Sequence, residues 1–134
     1  MPADRPRAER GAVSLVVVTG ALVLSLFALC AADLGSLMLA RARAQAAADA
    51  AALAAVVQQA PVLARGSERP ADAARAEAEA NGAHLDRCDC DIGSNHAVVD
   101  VTVAPTLAYM SPWFGRTVRA TSRAEVDPDV LTYR

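Results

Sequence analysis

Four side chains of metal-ligating type, His84, Cys88, Cys90 and His96, fall in one short stretch of the chain. Zinc would accept all four, but structural zinc sites space their cysteines as C-x₂₋₄-C, and here the spacing is C-x-C. The intervening Asp89 and the following Asp91 are stable as hydrated carboxylates, so the stretch points to no metal and no cofactor. Serine, histidine and aspartate all occur, yet two histidines with no nucleophile motif do not make a hydrolytic constellation. No glycine-rich phosphate loop is present. The sequence therefore speaks against an enzyme and against a small-molecule substrate. The chemistry that remains is that of two thiols. Residues two apart in a strand share a face, with Cα atoms at the long limit for a bridge. A Cys88–Cys90 disulfide, free thiols and pairing between chains all stay open at this point. The third cysteine, Cys30, lies in an apolar run and serves as a small apolar side chain.

That apolar run, GAVSLVVVTGALVLSLFALCAA from Gly11 to Ala32, positions everything after it. Its 22 residues carry no formal charge, close to the roughly 20 that a helix needs to cross a bilayer core. The hydroxyls of Ser14, Thr19 and Ser25 are compatible with this, since each can bond back to its own helix. Arg5, Arg7 and Arg10 precede the run, whereas Asp33 follows it and the next arginines are Arg41 and Arg43. This bias favours a cytoplasmic N-terminus and an exported C-terminal part. The run is longer than the apolar core of a secretory signal, and Cys30 and Leu29 make poor cleavage-site residues, so retention as an anchor is favoured. A net charge of −2 gives no support for a nucleic-acid partner.

Beyond Asp33 the helical pattern continues through alanine-rich sequence to Pro61, weakened only at Gly35. One helix from about Gly11 to about Ala60 would be about 75 Å long. Ala40, Ala44, Ala48 and Ala52 recur every four residues, as do Ala47, Ala51 and Ala55, spacing that lets two helix backbones approach closely. A packing face and a mere preference for a good helix former both account for that stripe. Gly66 and Ser67 mark a loop after Pro61. Pro70 opens, and Asn81-Gly82 closes, a short second helix over 70–81 with a solvated polar face.

After Gly82 the period changes to two. His84–Ile92 places Cys88, Cys90 and Ile92 on one face; Gly93-Ser94-Asn95 is a turn; Ala97–Ala104 buries Val99, Val101 and Val103. A further strand alternates Val118, Ala120, Ala124 and Val126 with Arg119, Thr121, Arg123 and Glu125. Between them, Leu107, Tyr109, Met110, Trp113 and Phe114 form an aromatic-rich connection, in which Trp113 and Phe114 serve either as packing for the sheet, the favoured reading, or as a partner-binding anchor. The expected architecture is α+β: a tail (1–10), a transmembrane helix (11–32), an alanine-rich stem (33–60) and a small antiparallel head (61–134), together a pilin-like lollipop.

Several of these residues match one family. Arg10-Gly11-Ala12 precedes the apolar run, Asp33-Leu34-Gly35 stands at its exit, and Arg41 follows. Then comes Gln45-Ala46-Ala47-Ala48-Asp49-Ala50-Ala51-Ala52-Leu53-Ala54. In these residues the chain resembles the TadE/TadG-like proteins of tight-adherence (Flp) pilus systems, especially their short actinobacterial members. The resemblance implies a membrane-tethered minor pilin-like structural subunit, with other pilin-like subunits and pilus assembly or secretion proteins as partners. It also implies a prepilin-type cut between Gly11 and Ala12. Val16 stands where such precursors carry a glutamate. The competing expectation is a secreted or membrane-anchored envelope protein whose head binds a ligand or host partner.

Overall fold

The structure, a computed structural model, describes the backbone of residues 7–59, 68–106 and 117–127, and side chains within these from residue 13 onward. The sequence expectations at Pro61, at Trp113 and Phe114 and after residue 127 lie outside the described residues. Five elements are present in the order α1 (Arg7–Gln59), α2 (Pro70–Ala80), β1 (His84–Asp89), β2 (His96–Val103) and β3 (Val118–Glu125). The α+β class and the three-stranded antiparallel sheet of the sequence reading are thus observed.

No proline interrupts α1, and Gly35 sits inside it without breaking it, as its small propensity cost allows. At 53 residues the helix is about 80 Å long. α2 starts on Pro70 at its first position, where a missing N–H costs nothing. It ends in a Schellman motif. Gly82, at φ +72°, turns the chain so that the Ala83 N–H bonds the Ala78 carbonyl and the Gly82 N–H bonds that of Glu79, both at 2.9 Å. Asn81 adds a side-chain bond to the Glu77 carbonyl at 2.8 Å.

The sheet has the order β1-β2-β3, antiparallel throughout. β2, the central strand, buries Ala97, Val99, Val101 and Val103 and leaves the alternate residues half-buried. β3 keeps the expected alternation, with Arg119, Thr121, Arg123 and Glu125 exposed. β1 departs from expectation in two ways. It holds an extra residue at Asp86, between the pairs Leu85–Val101 and Arg87–Asp100. It also ends at Asp89, so Ile92 projects into solvent at 82% exposure rather than sharing the face of the cysteines. The bulge has a simple cause. Leu85 and Cys88 both turn inward although three apart, and only an inserted residue reconciles that with a period of two.

α2, β2 and β3 all pack against α1. The core joins Ala40, Ala44, Ala47, Ala48, Ala51, Ala52, Ala55 and Val56 of the long helix to Ala74, Ala78, Leu85, Ala97, Val99, Val101 and Ala124 of the rest. The stem and head therefore share one core, with the head lying along the stem. Small side chains make this possible: the largest fully buried ones are Val99 and Val101. Backbones approach closely, and each element gains area from contact rather than from bulky residues.

Candidate functional site

The surface that distinguishes this molecule is α1 itself. From Val13 to Ala32 every side chain is exposed, including Phe27 at 70%. Two hydroxyls within the run bond back to the helix: Thr19 Oγ1 donates to the Leu15 carbonyl and Ser25 Oγ to that of Ala21, both at 2.8 Å. The helix is long and apolar enough to cross a membrane. An exposed apolar surface of this extent is far beyond the few hundred Å² that soluble monomers carry. It is compatible with a single-pass membrane anchor.

Past the apolar run, the stem presents three different sides. The first is buried by the head: Asp33, at 3% exposure, then Ala40, Ala44, Ala47, Ala48, Ala51, Ala52, Ala55 and Val56. The expected packing residues Ala40, Ala44, Ala48 and Ala52 all lie here, and in this chain their neighbours are α2 and the sheet. The second side is a polar row at four-residue spacing, Arg41, Gln45 and Asp49, all exposed. Gln45 Nε2 donates to Asp49 Oδ1 at 3.0 Å, a pair one turn apart. The third side is apolar and uncovered. Gly35, Leu39, Ala42, Ala46, Leu53 and Val57 are exposed and Ala50 is half-buried. At about 100° per residue these positions fall on one stripe, opposite the buried face.

The residues singled out in the sequence are thus placed apart by role. Gly11 and Ala12 lie within the first turns of α1. Of the motif residues, Asp33 is buried, Gly35 faces open space, and Arg41, Gln45 and Asp49 form the polar row. The Ser36 hydroxyl donates to the Asp33 carbonyl at 2.8 Å. Sequence reasoning missed the burial of Gln59, which is 4% exposed with both amide atoms buried and lacking a hydrogen-bond partner among the described residues. Its signal was present: Gln59 continues the four-residue spacing of Ala51 and Ala55.

In the head, Cys88 and Cys90 are joined as a disulfide with Cα atoms 5.4 Å apart. An extended strand would hold them at about 6.6 Å, so the chain contracts where β1 ends. His84 and His96 lie at opposite ends of the β1–β2 hairpin, and among the described residues no three metal-ligating side chains converge. The outer sheet face carries a cross-strand polar network instead. Thr102 Oγ1 donates to Asp86 Oδ1 at 3.2 Å, Thr121 Oγ1 donates to Asp100 Oδ1, and Arg119 pairs with Asp86.

Taken together, α1 carries an uncovered apolar run compatible with a membrane anchor, a polar row along its continuation and a small head packed on one side. Residues 11–60 match the family model for Tad, described as "Putative Flp pilus-assembly TadE/G-like", so that most of α1 is similar to that family. The match is to the family and covers 50 of 134 residues. That family points to Flp pilus assembly and describes no reaction. No curated protein and no solved structure matches the chain.

Proposed function

We propose that this protein is a membrane-anchored, minor pilin-like structural subunit acting in the assembly of a Tad/Flp-type pilus or a related secretion apparatus. In this reading residues 1–10 are a cytoplasmic tail, 11–32 cross the membrane, and the stem and head stand outside the cell membrane. The observation that carries it is the division of labour on α1. One unbroken helix exposes all its apolar side chains from Val13 to Ala32, and beyond Asp33 it still keeps an apolar stripe that the head leaves open. A chain needing only a tether has no use for that stripe in water. A subunit that lies beside other helices does.

Partners on this reading are other pilin-like subunits, running parallel because all are anchored in the same membrane. Two measurements test it. N-terminal sequencing of the membrane-bound protein should give a start at Ala12 if a prepilin-type peptidase acts, or at the tail if the anchor is retained. A start at Asp33 with a soluble product would overturn the reading. Photo-crosslinking from Leu53 should capture a helix of a co-expressed pilus component in the membrane fraction, and capture from Arg75 on the outer side of α2 should not.

A further inference from the structure

We propose that Cys88–Cys90 is a thiol–disulfide exchange site that sets how far the β1–β2 hairpin closes. The ladder now stops at the pair Asp89–Val98; carried on in the same register, the next pairs would be Cys90–Ala97 and Asp91–His96. The bridge is what halts it. Holding the Cα atoms of Cys88 and Cys90 at 5.4 Å denies the chain the full extension that two more pairs require. On β2 the carbonyl that would receive them, that of His96, lies 2.8 Å from the Ser94 hydroxyl, which it would exchange for the Asp91 N–H. The Asn95 carbonyl accepts the Val126 N–H at 2.8 Å, on the β3 side. By the alternation of an antiparallel ladder, the N–H and C=O of His96 then face β1, and Asp91–His96 would be the next hydrogen-bonded pair. In the disulfide form the Asp91 carbonyl accepts the Ser94 N–H at 3.1 Å, and the Ser94 hydroxyl lies between the Asp91 and His96 carbonyls, at 2.9 and 2.8 Å. With the ladder extended, Ile92–Asn95 remains as a four-residue hairpin loop, a common length, containing Gly93 at φ +91°. Both cysteines are half-buried and so open to a small reagent.

The reaction balances with an external dithiol. Its thiolate attacks one sulfur, the S–S bond breaks, and a mixed disulfide forms. Its second thiol resolves that intermediate, leaving Cys88 and Cys90 as thiols and the reagent as a cyclic disulfide. Two electrons and two protons pass to the protein.

The test uses the full chain carrying Cys30→Ala, purified under air in detergent micelles, with dithiothreitol as the dithiol. Maleimide should label no cysteine before reduction and two after it. Amide exchange at Asp91 and His96, the pair that gains hydrogen bonds, should slow by about tenfold on reduction, while Val99–Val103 stay protected. The double variant Cys88→Ser, Cys90→Ser should exchange like the reduced protein without any reagent. Free thiols in the air-purified chain would overturn the proposal. So would unchanged exchange at Asp91 and His96 after reduction. Loss of protection across Val99–Val103 in both the reduced chain and the double variant would make the bridge a structural staple and would overturn it equally.

Discussion

Asp86 on one edge strand reaches over the central strand to Arg119 on the other, its Oδ2 3.5 Å from the guanidinium Nε. Asp86 sits at the bulge with its carboxylate on the outer face, where it also accepts the Thr102 hydroxyl. The ion pair itself contributes little, because its side chains are 71% and 27% exposed. Arg119→Ala should cost less than about 1 kcal/mol in urea unfolding. Deleting Asp86 removes the bulge yet leaves Leu85 and Cys88 two apart, so both still face the core of a regular strand, and the loss is limited to the Thr102 and Arg119 contacts, about 1 kcal/mol. A loss as large as full exposure of Leu85, about 2–3 kcal/mol, would show that the register depends on the bulge.

Opposite sides of the stem should respond oppositely to substitution. Ala48 is fully buried against the head, so Ala48→Leu overpacks the shared core and should lower stability by about 1–3 kcal/mol. Leu53 is exposed on the open stripe, and Leu53→Arg should leave stability within about 0.5 kcal/mol while abolishing co-purification with pilus components. Thermal unfolding and pull-down from the same membranes separate the two effects. If Leu53→Arg keeps its partners, the stripe is not a docking face.

Gly82 closes α2 in the left-handed region, at φ +72°, with nothing within 4 Å of where a Cβ would stand. The cost of Gly82→Ala is therefore one of backbone conformation alone, about 1 kcal/mol. Gly82→Asn should recover part of it, because asparagine tolerates that region better. Equal losses for the two variants would argue against the Schellman closure.

Gln59 buries an amide that finds no partner among the described residues. Replacing it with an apolar residue of similar length removes the unmet groups, so Gln59→Met should raise stability by about 1 kcal/mol. A destabilised Gln59→Met protein would show that the amide is bonded in solution and matters to the end of α1.

Much of this architecture was legible because its signals are local. Leu, Val and Ala without charge from Gly11 to Ala32 specify a helix whatever surrounds it. Pro70 and Gly82 bracket α2, and Val99, Val101 and Val103 announce a half-buried strand. What the Ala40–Ala52 stripe packs against was not legible, since alanine spacing shows that close approach is allowed and not which neighbour makes it. The bulge did leave a trace, in the three-residue step between Leu85 and Cys88. The early end of β1 left none, because Cys90 and Ile92 fit the alternation perfectly and only the contraction between the cysteines prevents its use.

A helix armoured along one flank by its own head can admit company only from the other. If several such rods gather around their bare seams, steric exclusion turns each sheet away from the shared axis. The bundle that results has an oily interior of Leu39, Ala46 and Leu53 and a rind of Arg, Asp and Thr. Its outward appearance would be decided by β1, β2 and β3, and its cohesion by residues no outside molecule ever meets.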